Sequence, residues 1–154
     1  MTPARKAYLL DLTQYPQLTA NESAVARAWL VQHADEYDDV DFSVRLGATV
    51  DRLPGWSDAT WKQAQILSQK RIDMIAYKGT EVTIIEVKLR VSLAALGQLL
   101  GYGTLWRVEH PESTEVHLLA IGNSALVDAH DILTAHSVNI ELFPDVAITV
   151  LPKA

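Results

Sequence analysis

At the centre of the chain lies the segment Arg71-Ile-Asp-Met-Ile-Ala-Tyr-Lys-Gly-Thr-Glu-Val-Thr-Ile-Ile-Glu-Val-Lys88. Two runs rich in β-branched and aromatic residues flank its Gly79-Thr80 pair. Such runs favour β-strands, and a two-residue loop with Gly at its first position is typical of a tight antiparallel hairpin. We therefore predict two antiparallel strands that turn at Gly79-Thr80.

The two-residue loop also fixes how the strands pair. Counting outward from Gly79-Thr80, Asp73 falls directly opposite Glu86. Because successive side chains alternate between faces, Lys88 shares the face of Glu86 and lies opposite Arg71. The other face is nearly all apolar, so we expect the hairpin to be covered on both sides within a sheet. That second face consists of Ile72, Met74, Ala76, Thr83, Ile85 and Val87.

The predicted pairing brings two carboxylates together. Side chains directly opposite each other on paired strands lie about 5 Å apart at Cβ, and like charges there destabilise a sheet. A divalent cation between Asp73 and Glu86 would remove the repulsion, and carboxylate oxygens favour the hard ions Mg²⁺ or Mn²⁺. Lys88 would then supply a charge for a phosphate oxygen or orient a water molecule. The pattern predicts a site that hydrolyses phosphodiesters, although a solvated salt-bridge cluster has the same spacing.

Three motifs follow one another here: Asp73, the run Glu86-Val87-Lys88, and the helical segment Ala95-Leu-Gly-Gln-Leu-Leu-Gly-Tyr102. Their order resembles the PD-(D/E)xK nuclease superfamily, in the branch with a Q-x3-Y motif that includes RecB-like and NucS-like nuclease domains. Ile72 stands where that family often has Pro, the least constant part of its pattern. The resemblance implies an α/β fold with a restriction-endonuclease-like αβββαβαβ core, in which helices flank a mixed central sheet.

The resemblance also implies roles for individual residues. Lys88 would be the catalytic lysine, while Gln98 and Tyr102 would contact the backbone of a nucleic acid, expected to be DNA, or orient the site. Gln98 and Tyr102 lie four apart on one helical face, so a second interpretation is that they only satisfy each other. The residues implied to bind Mg²⁺ or Mn²⁺ are Asp73, Glu86 and the carbonyl of Val87.

Glu22 has two interpretations. Thr19 and Glu22 have the spacing of a capping box, which predicts a helix from about residue 19 to Ala34. In several nucleases of the superfamily a Glu on this first helix reaches the metal. Glu22 is therefore either a helix cap or a further metal ligand.

The charge of the chain is distributed unevenly. A net charge of −6 argues against a broad basic surface for nucleic acid. Residues 61–110 nevertheless hold seven basic and four acidic residues, a net of +3, which leaves −9 for the rest. We predict nucleic-acid contacts from Arg71, Arg90 and Arg107, although Arg107 alternatively complements a helix dipole. A homodimer or a larger protein complex would supply further basic surface.

The remaining sequence predicts one domain at 19–154, preceded by an N-terminal arm at 1–18 and interrupted by an insertion at 51–68. Trp56 and Trp61 in the insertion either stack on bases or pack it onto the sheet.

Patterns after the hairpin predict the second half of the fold. Gly97 and Gly101, four apart on the predicted helix, are expected to let that helix sit close to the sheet. His117 is expected to be a half-buried polar residue rather than a metal ligand. We predict strands at Glu115–Ile121 and Val138–Leu142, a turn at Gly122–Ser124, a helix through Leu126–Leu133, and an edge strand at Ala147–Leu151.

Composition limits the class of protein. The chain has no Cys, which removes disulfides, thiolate zinc sites and cysteine nucleophiles. It has no run of about 18 apolar residues, and the apolar run after Arg5-Lys6 is too short for a signal peptide. We expect a cytoplasmic protein, prokaryotic or phage-encoded, without a membrane partner.

Two functions fit these observations. The first is a Mg²⁺-dependent nuclease that cleaves DNA with Asp73, Glu86 and Lys88. The second is a nuclease-fold module for binding or assembly in a phage or mobile element, which the acidic surface favours.

Overall fold

The computed structural model describes residues 1–149, which form five helices, one short 3₁₀ turn (Ala34–Glu36) and five strands. The helices are α1 (Pro3–Asp11), α2 (Ala20–His33), α3 (Asp58–Ser68), α4 (Leu93–Glu109) and α5 (Ala129–Ala135). The strands are β1 (Asp39–Leu46), β2 (Lys70–Lys78), β3 (Glu81–Val91), β4 (Glu115–Ala125) and β5 (Val138–Leu142). Within residues 1–149, no helix has both the length and the apolar character needed to cross a membrane.

The strands form one mixed sheet in the order β1-β2-β3-β4-β5. Strand β2 is antiparallel to both of its neighbours, β1 and β3, while β3, β4 and β5 run parallel to one another. From α2 onward, with α3 as an insertion, the elements follow the order α, β, β, β, α, β, α, β. The predicted restriction-endonuclease-like αβββαβαβ core with its mixed central sheet is therefore confirmed.

The sheet is covered on both faces. One face packs against α1 and α2 through a core that includes Trp29, Met74, Ile85 and Val87. The other packs against α4 and α5 through a core that includes Ile75, Ile84, Leu99 and Leu133. Because β3 is the central strand of this layered arrangement, its side chains are buried from both sides, as predicted from the apolar hairpin.

The hairpin turns where the sequence predicts. Lys78 pairs with Glu81, and Gly79 has a φ of +58°, a left-handed conformation that favours glycine. The ladder between β2 and β3 extends only to the pair of Met74 and Ile85. It ends one pair before the predicted pairing of Asp73 with Glu86, and the predicted pairing of Arg71 with Lys88 is likewise not formed.

The pairing of β2 with its other neighbour, β1, is also irregular at Asp73. The pairs on either side of Ser43 are formed, but Ser43 does not pair with Asp73, and its φ is +59°. Ile72 packs with the α4 core, whereas Met74, two residues later, packs with the α2 core. The prediction that Ile72 shares a face with Met74 is therefore wrong, because the backbone changes face at this irregular step.

The N-terminal residues belong to the core. We expected an arm at 1–18, but this segment forms α1, and Leu9, Tyr15 and Leu18 are each at most 3% exposed. The ring of Tyr15 stacks on Phe42 of β1 at 4.3 Å between centroids. The sequence of this short segment shows no helical period. Packing against the core therefore stabilises a helix that the sequence pattern does not predict.

The insertion is present but contributes little to the core. Ser57 caps α3 by accepting a hydrogen bond from the amide of Thr60, and α3 has no buried residue. Trp56 and Trp61 are half-buried, and Trp61 donates through Nε1 to the carbonyl of Val50. Both interpretations of these tryptophans therefore remain open.

The end of the chain differs from the prediction at two places. Strand β4 continues to Ala125, so Gly122–Ser124 lies within the strand and does not form a turn. Residues 147–149 form no strand, and the rest of the predicted edge strand lies outside the described residues. Parallel pairing with β3, which reaches Val91 and Ala125, holds the longer strand in place.

We predict that two glycine-to-alanine substitutions have opposite effects on stability. In Gly122→Ala the new Cβ would lie 2.8 Å from Cγ2 of Val91 and 2.9 Å from the Lys88 carbonyl oxygen. Overpacking of this kind costs about 1–3 kcal/mol. In Gly97→Ala the Cβ meets no atom within 4 Å, and the gain in helix propensity is at most about 1 kcal/mol. Urea unfolding of both variants measures the difference, and equal midpoints would contradict it.

Candidate functional site

Asp73 lies at the point where β2 and β3 separate. Its Oδ2 accepts a hydrogen bond of 2.9 Å from the backbone amide of Val87. The carboxylate thus takes part in joining the two strands where their backbone ladder has ended. This bond uses one of the two carboxylate oxygens and leaves Oδ1 outside the strand contact.

Glu86 is buried beside a single cation. Its side chain is 1% exposed, and its Oε1 lies 2.6 Å from the Lys88 ammonium. Within residues 1–149, no hydrogen-bond donor reaches Oε2. The ion pair therefore neutralises part of the charge of Glu86, while Oε2 remains available to a ligand. Burying a carboxylate in this way is unfavourable unless a ligand completes the site.

The electrostatics of the site show the effect of this burial. Burial, and then the negative charge of Asp73, raise the pKa of Glu86 to about 7. Burial likewise raises the pKa of Asp73, against the opposing effects of the Val87 amide and the Lys88 charge. For Lys88, burial favours the neutral amine, but pairing with Glu86 outweighs it and raises the pKa. The site therefore holds one cation, the Lys88 ammonium, beside the carboxyl groups of Asp73 and Glu86. A single positive charge does not balance both carboxylates when they are ionised.

Of the two roles that the sequence leaves open for Glu22, the structure shows the helix cap. Its Oε2 accepts hydrogen bonds from the amide and the hydroxyl of Thr19, which confirms the capping box. Its charge also raises the pKa of Asp73 and of Glu86. Since both capping bonds end on Oε2, the cap leaves Oε1 of Glu22 outside its contacts. Its role as a metal ligand stays a prediction.

Gln98 and Tyr102 lie side by side on α4, as predicted. Gln98 Nε2 donates to the Tyr102 hydroxyl at 3.3 Å, so they do satisfy each other. Burial raises the pKa of Tyr102, and the charges of Glu86 and Asp73 add to that effect. The charges of both carboxylates therefore act on Tyr102, which is compatible with either interpretation of the pair.

A groove runs along the exposed face of α4. It has a volume of about 360 Å³ and is lined by Lys70, Gly97, Gln98, Gly101, Tyr102 and Leu105. Both glycines are exposed, and a Cβ on either would meet no atom within 4 Å. The prediction that they bring α4 close to the sheet is therefore wrong. The glycine that does so is Gly103, whose Cβ would lie 3.0 Å from the side chain of Leu118.

The three arginines predicted to contact nucleic acid lie in different parts of the fold, two on strands and Arg107 on α4. Arg71 is half-buried on β2 and pairs in register with Arg45. Arg90 is exposed on β3, two residues beyond Lys88. Arg107 donates to the carbonyl of Val116, near the start of β4. Arg71 and Arg90 thus lie near the carboxylates, whereas Arg107 lies toward the opposite end of the strands, and all three roles stay predictions.

The residues at the site fit a hard divalent cation. Glu86 offers Oε2, which no donor of residues 1–149 reaches, and Asp73 offers Oδ1, which the Val87 bond does not use. Oxygen donors with excess negative charge are the set that Mg²⁺ and Mn²⁺ prefer. The Val87 amide holds Asp73 in place, and this second contact orients the carboxylate as supporting hydrogen bonds do in metal sites.

A second cluster of potential ligands was not predicted. Glu81, Glu115 and His117 each offer one ligand atom, and these atoms lie within 4.8 Å of one another. His117 is exposed, which corrects the expectation of a half-buried residue. The cluster depends on the parallel register that pairs Glu81 with Glu115. That register joins strands separated by a whole helix, so no local sequence signal reveals it.

Comparisons with known proteins give one match. No family model and no curated protein matches the chain. Among solved structures, it is similar to a repair endonuclease from Pyrococcus abyssi, with a TM-score of 0.48 and 13% sequence identity. The match covers 84% of this chain and 49% of the other, so the chain spans about half the length of that structure. Similarity at this level says nothing about substrate or activity.

We predict that Glu86→Gln stabilises the fold at pH 8. A carboxyl group with a raised pKa in the folded state destabilises the fold while it is ionised. The penalty is complete above about pH 7, shrinks as the pH falls toward the ordinary value of 4.5, and is absent below it. Removing it should raise the free energy of unfolding by on the order of 2 kcal/mol at pH 8.

The measurement is urea unfolding of wild type and Glu86→Gln at pH 8 and pH 4.5. The gain at pH 8 should be much smaller at pH 4.5. Asp51→Asn removes an exposed carboxylate of the insertion and serves as the control, with little change at either pH. A Glu86→Gln protein that is less stable than wild type at pH 8 would contradict the prediction.

Proposed function

We propose that the protein is a metal-dependent nuclease of the PD-(D/E)xK type, in the branch with the Q-x3-Y motif, and that its substrate is DNA. The observation that carries this proposal is the buried Glu86 carboxylate, which shares the charge of Lys88 with Asp73 and whose Oε2 meets no hydrogen-bond donor among the described residues. A fold retains such a group at a cost to its stability, and perturbed carboxylates of this kind cluster at functional sites.

In this proposal Asp73 and Glu86 would hold Mg²⁺ or Mn²⁺, with the Val87 carbonyl and Glu22 as further candidate ligands. When bound, the ion would lower the pKa of a water molecule and stabilise negative charge on the phosphodiester. Because Lys88 is 31% exposed while it pairs with the buried Glu86, its ammonium can contact both the site and an approaching phosphate. Lys88 therefore neutralises charge that develops on the phosphate and helps to position the attacking water.

The groove along α4 supplies a path for the substrate. Its floor at Gly97 and Gly101 has no side chains, and its margin carries Lys70 and the hydrogen-bonded pair of Gln98 and Tyr102. A nucleic-acid backbone can approach a helix closely where glycines leave it flat, and a lysine beside it pairs with phosphate. In this proposal the substrate passes from the groove to the carboxylates, whose charges raise the pKa of Tyr102.

We predict divalent-cation-dependent cleavage of DNA that requires Lys88. Pure protein incubated with plasmid and with single-stranded DNA should cleave one of them in Mg²⁺ or Mn²⁺ and neither in EDTA. Lys88→Ala should lose about a hundredfold or more of the rate, because a charge aimed at the transition state is removed. Lys78→Ala, in the same hairpin but next to the turn, is the matched control and should retain activity.

The same experiment distinguishes a nuclease from a binding or assembly module. A module of that kind would show no cleavage with any cation, and Lys88→Ala would match wild type in every assay. An inert wild type that is folded and binds Mg²⁺ would reject the nuclease proposal. The acidic surface, with a net charge of −6, is the feature that favours the module.

We also predict that Gly101→Leu separates stability from activity. Leucine is a strong helix former, and a side chain at this position meets open space, so the fold should be at least as stable as wild type. Cleavage should fall about tenfold or more, because the side chain occupies the proposed substrate path. Ala94→Leu places a leucine at an exposed position on α4 outside the groove, and should retain activity. Equal rates for the two variants would place the substrate elsewhere.

A further inference from the structure

The cluster of Glu81, Glu115 and His117 lies far from the site described above. Glu81 is five residues before Glu86 on β3, which corresponds to about 17 Å along a strand. Thr83 and Ile85, which share the face of Glu81, pack toward α2, whereas Ile84 packs toward α4. The cluster therefore occupies the other face of the sheet and the other end of β3.

The backbone itself assembles this cluster. Glu81 and Glu115 are register partners on the parallel strands β3 and β4, and His117 follows two residues after Glu115 on the same face. Nε2 of His117 lies 3.3 Å from Glu115 Oε2 and 3.7 Å from Glu81 Oε2. Two like charges at one register position destabilise a sheet unless a cation lies between them. The imidazole is the only group of the three that can relieve this repulsion without a ligand.

The surroundings add to the negative charge. The cluster adjoins a cavity of about 430 Å³ whose wall includes Glu81, His117, Glu36 and Glu141. Lys78 and His33 supply positive charge to the same wall, but His33 is already held by Glu36 at 2.8 Å and Glu141 at 2.7 Å. The cavity is therefore accessible, polar and suited to a cation.

We propose that Glu81, Glu115 and His117 form a second divalent-cation site, selective for a transition metal such as Zn²⁺. One imidazole and two carboxylates are three protein ligands of the kind that zinc takes, with a fourth position open toward the cavity. Mg²⁺ prefers oxygen ligands alone, so it favours the Asp73–Glu86 pair instead. The two sites thus differ in metal preference, and this second site does not depend on the nuclease proposal.

The test is calorimetric titration of tag-free protein with Zn²⁺ in the Glu86→Gln background, which weakens binding at the first site. One Zn²⁺ should bind per chain, and Mg²⁺ at the same concentration should not displace it. Adding His117→Ala should weaken Zn²⁺ binding at least tenfold. Adding His130→Ala instead, which removes an exposed histidine on α5, should leave binding unchanged.

Each contrary result overturns the proposal. Absence of Zn²⁺ binding in Glu86→Gln, or equal binding with and without His117, would show that the cluster is only a set of surface ion pairs. Glu115→Gln in the same background provides a second variant, and binding that survives it would also reject the site. Circular dichroism establishes that each variant is folded, which is expected because all three side chains are at least 45% exposed.

Discussion

The interaction on which the structure depends is the contact between the Asp73 carboxylate and the Val87 amide. It replaces backbone pairing where β2 and β3 separate, and it holds Asp73 next to the buried Glu86. A carboxylate with a hydrogen bond to a strand is fixed in direction, whereas Glu86 has only the charge of Lys88 nearby. Asp73 is thus held in a fixed orientation, whereas the hydrogen-bonding capacity of Glu86 is incompletely satisfied. This is the arrangement expected of a site prepared for a ligand.

The rest of the fold makes this arrangement possible. Apolar cores cover both faces of the sheet, so water is excluded from Glu86, and the central position of β3 gives it neighbours on both sides. The irregular step at Ser43 and Asp73 moves the backbone from one core to the other. Together these features place the carboxyl groups of Asp73 and Glu86 within well-packed apolar surroundings. Hydrophobic burial elsewhere offsets the unfavourable energy of the site, since the net stability of a domain is a small difference between large terms.

Local sequence patterns predicted the parts of the fold that depend on local interactions. The Gly79-Thr80 turn fixed the hairpin register as far as Met74 and Ile85, and the capping box at Thr19 placed α2. Patterns could not show which way Gly97 and Gly101 face, because a glycine stripe fits both a packed and an open helix surface. They also missed α1, whose packing is tertiary, and the Glu81–Glu115 pairing, which requires the parallel register.

The distribution of charge reconciles an acidic protein with a proposed polyanionic substrate. Lys70, Lys88 and Arg90 lie on the strands and groove beside the carboxylates, while Glu81 and Glu115 lie at the opposite end of the sheet. Local potential, rather than net charge, steers a nucleic acid at distances within about 10 Å at ordinary salt concentrations. The proposed polyanionic substrate would therefore meet positive charge at one end of the sheet and negative charge at the other, so a net charge of −6 is compatible with binding in one orientation.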